Sequence, residues 1–258
     1  MRNNSLKKRI RGGERLLGTF LRINSPELVE IMGFAGFDFV IVDTEHGPFG
    51  IESAAHLVRA AEAASISPLI RVAENRDNDI FKALDTGAEG IIVPRTCTRE
   101  EARKAVAAAK FSPMGIRGAC PRVRAARYTA IPAARYYSSA NEDTVVILLV
   151  ESPEGVTELP GMLEVPGVDV VMVGATDLSH ALGVPGQYEH PAVQAEIDRV
   201  IKEAEIRRIA VGMVARGLEE ARSLLSRGVR FIVFSGDETI FYQACRQARE
   251  ALTSDLGH

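Results

Sequence analysis

The strongest constraint on this chain is a rhythm, eight short apolar runs each followed by a helical stretch, spread through 258 residues. The runs are Leu16–Leu21, Phe37–Val42, Ser67–Val72, Gly90–Val93, Val145–Val150, Val168–Val173, Ile209–Met213 and Phe231–Phe234. They are rich in β-branched and aliphatic residues and too short for helices, so they read as buried strands. Between them lie helix signals such as Asn24-Ser25-Pro26-Glu27 and the capping-box pattern Thr98-Arg99-Glu100-Glu101. Such alternation builds parallel strands joined by right-handed crossovers. Eight units in a chain of this length predict a single (β/α)8, or TIM, barrel over residues 1–258. An open doubly wound sheet is the alternative, but no G-x-G-x-x-G turn follows the first strand. One interruption, at about 111–141, carries Pro113, Gly115, Gly118, Pro121 and Pro132 and reads as a long loop insertion.

In such a barrel the chemistry gathers where the strands end. Asp43, Glu45 and His46 follow the second strand, Arg71 ends the third, Glu151 ends the fifth, Asp177 follows the sixth and Asp237 the eighth. The plain structural alternative is that Asp43, Glu151 and Asp177 cap helices and His46 fills a turn. Glu151 and Asp177 come from adjacent strands, however, and two close carboxylates are unfavourable unless a cation or a proton lies between them. A hard divalent ion completed by water and substrate oxygens suits such a pair. None of the six lysines falls at a strand end, which argues against an imine-forming lysine in the mouth. No G-x-S-x-G elbow, Walker loop or HExxH motif is present. What remains is a metal-assisted reaction on a small, oxygen-rich anion.

The formal net charge of −3 offers nucleic acid no general attraction. Cys97, Cys120 and Cys245 lack metal-ligand spacing and read as reduced thiols, and neither a signal peptide nor a membrane span is visible, so a cytoplasmic protein is expected. The 111–141 segment holds five arginines, at 117, 122, 124, 127 and 135, and no Asp or Glu. Guanidinium groups in such excess suit carboxylate-bearing partners or a subunit interface. In the first case Arg124 is a candidate contact for an acidic substrate.

DTEHGP at 43–48, IRV at 70–72, KALDTGAEGIIVP at 82–94, GIRG at 115–118, VESPEGV at 150–156 and VGATDLS at 173–179 together resemble the HpcH/HpaI group of metal-dependent pyruvate aldolases. The resemblance runs through nearly the whole chain in the same order. It implies a lyase that reversibly cleaves a 4-hydroxy-2-oxo acid into pyruvate and an aldehyde through an enolate. It also implies a divalent cation, magnesium, manganese or cobalt, on Glu151 and Asp177. His46 would be the acid/base group, supported by Asp85, and Arg71 would contact the pyruvyl oxygens. Gly174, Ala175 and Thr176 would hold the carboxylate; the turn reads GATD here, where the group often has Pro or Ser. A homo-oligomer, in that group a hexamer, is implied too. Two other readings stand beside it: a coenzyme A-ester lyase of the citrate lyase type, and a non-catalytic oxo-acid-binding barrel. The short chain and the DTEHGP loop speak against the first, and a binding module would not need His46.

Overall fold

Strand residues without polar side chains have nowhere to go but inward, and here they bury on both faces, as parallel strands covered by helices must. The computed structural model describes residues 6–256. In chain order the elements are α1 (Leu6–Arg11), β1 (Leu16–Leu21), α2 (Pro26–Phe34), β2 (Phe39–Asp43), α3 (Ile51–Ala63), β3 (Ser67–Arg71) and α4 (Asp77–Asp85). Then follow β4 (Gly90–Val93), α5 (Arg99–Ala109), a 3-10 turn at Arg124–Thr129, α6 (Ala133–Asp143), β5 (Val145–Val150), α7 (Pro153–Leu163) and β6 (Val170–Val173). The chain closes with α8 (Ala175–Ala181), α9 (Pro191–Arg207), β7 (Ala210–Ala215), α10 (Leu218–Ser226), β8 (Phe231–Gly236) and α11 (Asp237–Leu256). The strands pair in parallel from β1 round to β8 and back to β1, a closed barrel. The eightfold alternation is thus a (β/α)8 barrel.

Two apolar layers hold it together. Inward-facing side chains such as Phe20, Ile41, Leu69, Ile147, Met172 and Val233 fill the lumen. There Phe39 and Phe231 stack with ring centroids 3.9 Å apart. Gly18 makes room for them, because a Cβ at that position would sit 2.2 Å from the Phe39 ring. Outward-facing residues such as Val40, Ile70, Ile91 and Val171 pack against the helices in a second layer. Thr98 forms the expected capping box with Glu101, and Ser25 and Ser152 cap α2 and α7, whose first turns each carry a proline. Each cap is worth about 1 kcal/mol and fixes where its helix begins.

The N-terminal floor of the barrel is plugged by α1, whose Leu6 and Ile10 join the lumen cluster. The 111–141 segment is not only loop. It contains the 3-10 turn and most of α6, with Phe111, Ala126 and Tyr136 forming a small apolar cluster of their own. The last helix behaves unlike the others. Every residue of α11 from Phe241 to Leu252 is exposed, so beyond its first turns it covers none of the barrel.

Candidate active site

The strand register decides which side chains meet at the mouth. Asp43 ends β2 directly beside Arg71 at the end of β3, and Val150 and Val173 pair so that Glu151 and Gly174 follow side by side. Asp43 is fully buried. Its Oδ1 accepts from Arg71 Nε at 2.8 Å and its Oδ2 from Arg71 Nη2 at 2.5 Å, the bidentate fork that carboxylate and guanidinium favour. Arg22 Nε donates to the same Oδ2 at 2.7 Å, and the backbone N–H groups of Glu45 and His46 both reach Oδ1 at 3.2 Å. Burial disfavours the Asp43 charge, but the hydrogen bonds and charge of Arg71, with Arg22, outweigh it and hold the carboxyl below its usual range.

Arg71 is thereby fixed from one side. From the other, its Nη1 lies 3.2 Å from Glu45 Oε2, while Arg95 Nη2 lies 3.6 Å from Glu45 Oε1. His46 Nε2 stands 4.0 Å from Glu45 Oε2, and its side chain is 62% exposed, the most open of these groups. A ring so exposed can reach a substrate while its backbone stays tied to Asp43.

Glu151 is buried at the end of β5. Arg95, in left-handed backbone conformation with φ 52°, turns its N–H to Glu151 Oε1 at 2.8 Å. Burial pushes the Glu151 carboxyl up to about 7; the Arg95 N–H opposes this, and the charges of Asp177 and Glu45 add to it. Gly174 is needed for this closeness, since a Cβ there would stand 2.7 Å from Glu151 Oε2. Ala175 and Thr176 then open α8, and Asp177 lies exposed in its first turn.

A buried, desolvated carboxylate whose nearest like charge is another carboxylate is the donor set that a hard divalent cation relieves. Among the described residues no group of three or more His, Cys, Asp or Glu is arranged around one point. Glu151 and Asp177 would therefore supply two positions and leave the rest to water or substrate.

Two of the expected site residues lie elsewhere. Asp85 ends α4, a helix that runs away from the mouth, and its Oδ1 accepts from Arg117 Nη2 at 2.7 Å. Burial raises the Asp85 pKa despite that arginine. Arg124 bonds Glu62 Oε2 at 2.5 Å and the Thr86 carbonyl at 2.7 Å. Both groups sit at the floor end, beside a cavity of about 570 Å³ lined by Arg117, Arg124, Arg127 and Tyr136. His46, Arg71, Glu151, Gly174, Ala175, Thr176 and Asp177 do share the mouth. Arg22, Arg95 and Glu238 were overlooked there, though Arg22 follows β1 and Glu238 follows β8, the positions at which the other groups were found.

A barrel with a fixed arginine and a carboxylate pair at its mouth fits an enzyme acting on a small, oxygen-rich anion. Comparison with known proteins narrows it. Residues 16–244 match the HpcH/HpaI aldolase/citrate lyase family model. A hydroxypyruvate/pyruvate aldolase from Sagittula stellata is 34% identical over 248 residues, covering 95% of this chain and 96% of the relative. The 4-hydroxy-2-oxo-heptane-1,7-dioate aldolase of Escherichia coli is 32% identical over 255 residues, covering 98% of this chain and 95% of the relative. The crystal structure of an HpcH/HpaI aldolase/citrate lyase family protein from Burkholderia cenocepacia superposes with a TM-score of 0.92 at 34% identity, covering 96% and 98% of the two chains. The chain belongs to the HpcH/HpaI aldolase/citrate lyase family and is a carbon–carbon lyase, an aldolase of the metal-dependent class.

Proposed function

We propose that the mouth binds pyruvate and joins it reversibly to an aldehyde, the reverse reaction being cleavage of a 4-hydroxy-2-oxo acid. The observation that carries this is the gathering at one mouth of Arg71 from the end of β3, Glu151 just after β5 and Asp177 in the first turn of α8, with the charges of Arg71 and Asp177 both acting on Glu151. Glu151 and Asp177 would hold a divalent cation, magnesium foremost, which when bound supplies positive charge at the substrate's carboxylate and 2-oxo group. The Gly174–Thr176 turn lies beside this pair and is suited to the carboxylate.

In the cleavage direction the C3–C4 bond breaks and the C4 hydroxyl becomes the aldehyde carbonyl, giving up its proton to a base. The electron pair moves through C3 onto the C2 oxygen. Arg71, locked by Asp43 and Glu45, provides fixed positive charge for that oxygen without having to reorganise during the reaction. His46, exposed at its ring, takes the hydroxyl proton and returns one to C3, giving pyruvate. Lactate dehydrogenase coupled to pyruvate release, run on a panel of 4-hydroxy-2-oxo acids with EDTA or added metal, tests this. No release from any of them, or release that EDTA does not touch, would sink it.

The enzyme would work as a homo-oligomer. Phe241, Tyr242 and Leu252 on α11 and Ile31 and Phe34 on α2 are each at least 60% exposed, apolar surface that a second copy would cover. Asp85 and Arg124, facing away from their own mouth, could serve a reaction only at the mouth of another copy. Among the described residues no helix is long and apolar enough to cross a membrane. The three cysteines are free, which supports work in the cytoplasm.

A further inference from the structure

Arg22 has no role in the reaction described above, yet it is the second guanidinium on the most buried carboxylate of the mouth. Its Nε reaches Asp43 Oδ2 at 2.7 Å, the same oxygen that Arg71 Nη2 holds. Its Nη1 reaches Glu238 Oε1 at 2.7 Å. Its backbone is clamped as well, because Asp237 Oδ1 accepts from Arg22 N at 2.9 Å and Asp237 Oδ2 from Ile23 N at 2.8 Å. Asp237 and Glu238 are the first residues of α11, so both the main chain and the side chain of Arg22 are anchored to the start of the last helix. The guanidinium carbons of Arg22 and Arg71 each lie 4.7 Å from the centroid of the Phe20 ring, which fixes the planes of both.

The charges explain what this anchoring can do. Arg71 faces two carboxylates, Asp43 and Glu45, and shares each with another guanidinium. Arg95 also faces Glu45, and Arg22, itself paired with Glu238, satisfies Asp43 from a second side, so three guanidinium groups meet three carboxylates. Without Arg22, Arg71 would be the one cation left on the buried Asp43 among the described residues, and Arg71 would be drawn toward Asp43 and partly neutralised. The backbone N–H of His46 hangs on Asp43 too, so the acid/base loop depends on the same carboxylate.

We propose that Arg22 is a positioning residue for the reaction at the mouth: held by Glu238, it fixes Asp43 so that Arg71 and the His46 loop keep their orientation toward substrate. It touches no substrate itself and acts through Asp43. The inference rests on the pyruvate reading above.

The test uses the full-length enzyme with pyruvate release as the readout, alongside melting curves. Arg22→Met should lower kcat by about 10–100-fold, the usual range for groups that orient the residues of a metal-dependent site, while the KM for the cleaved 4-hydroxy-2-oxo acid moves much less. Arg22→Lys should recover part of the loss, since it restores the charge but not the fork. Glu238→Gln should cost a smaller factor and add nothing in an Arg22→Met background, because both changes cut the same chain of contacts. Losses of Arg22→Met and Glu238→Gln that simply multiply, or an Arg22→Met enzyme that turns over within threefold of the parent, would overturn the role. If Arg22→Met does not fold, Arg22→Lys and Glu238→Gln decide: kcat unchanged in both overturns it. A parent that releases no pyruvate defeats the aldolase reading and this role together, whereas an active parent with unaffected variants defeats only the role.

Discussion

The two ends of the barrel handle buried charge in opposite ways. At the floor, Lys7 Nζ donates to Asp169 Oδ2 at 2.8 Å and to the Thr144 carbonyl at 2.7 Å, and Lys110 Nζ donates to the carbonyls of Asn141 and Thr144. Asp169 also accepts from the backbone N–H of Val146 at 3.0 Å. These groups are 7% exposed or less, and their bonds are made within the chain. At the mouth, Glu151 is crowded by other acids and His46 stands open. The Lys7–Asp169 pair is satisfied inside the fold, whereas a charge left in an unfavourable place is available to a ligand. The same barrel thus keeps one end for structure and the other for chemistry, which is the division usual for this architecture.

Substitutions that separate function from stability would break the comparison most directly. Glu151→Gln and Asp177→Asn keep shape and remove one charge each. Both are expected to abolish measurable turnover, while their melting temperatures in EDTA stay at or above the parent's because a repulsion has been relieved. In the parent, magnesium at one hundred times its dissociation constant should add about 2.7 kcal/mol of stability, and in neither variant should that gain survive. Scanning calorimetry with EDTA and with magnesium reads both effects, and an undiminished gain in the two variants would remove the metal site. His46→Ala comes next, with turnover expected to fall by about 10²–10⁴ and the magnesium-dependent shift in melting temperature retained. An unchanged rate would move the proton transfer to another group, with Glu45 the nearest candidate.

The floor predicts the reverse pattern. Asp169→Asn leaves Lys7 buried without its carboxylate, and stability should fall by about 3 kcal/mol. Turnover per folded molecule should not change, since the mouth is at the other end. Urea unfolding curves and kcat measured on the same preparation check this. A large kcat loss with little change in stability would mean that the two ends are coupled.

How much of this was legible in the chain differs by level. β1, β4 and β5 begin and end where the apolar runs Leu16–Leu21, Gly90–Val93 and Val145–Val150 do. β6 starts at Val170, not Val168, because Asp169 is turned into the floor cluster before the ladder begins. No local signal marks α1, a short charged segment that is helical because Leu6 and Ile10 find the lumen. For α11 the periodicity was visible, but a periodic stripe does not say whose surface it covers. Strand-end residues could be placed at the mouth because a strand's direction is a local property in a parallel barrel. Asp85 was drawn to the mouth by resemblance, although its position at the end of a helix leading into β4 places it at the floor. The sharing of Asp43 between Arg71 and Arg22 was invisible, because it joins the ends of β1, β2 and β3 in space and no spacing in sequence expresses it.

The last effect expected is a dependence of stability on pH that belongs to the floor alone. Burial, and then the positive charge of Lys7, push the Lys110 amine down to about 7, whereas in the unfolded chain it titrates near the ordinary lysine value of 10.5. Below about pH 7 both the folded and the unfolded chain carry the proton, and the fold bears the whole cost of a buried ammonium. Between about 7 and 10.5 the unfolded chain binds one proton more than the folded one, so stability must rise with pH across that window. The slope can reach about 1.4 kcal/mol per pH unit for a single group. Lys110→Met should remove that rise while leaving the titrations of the mouth in place. Unfolding free energies of parent and variant at pH 7, 8 and 9 therefore isolate it, and parallel curves would mean that Lys110 keeps its proton in the fold and that Asp169 carries both lysines.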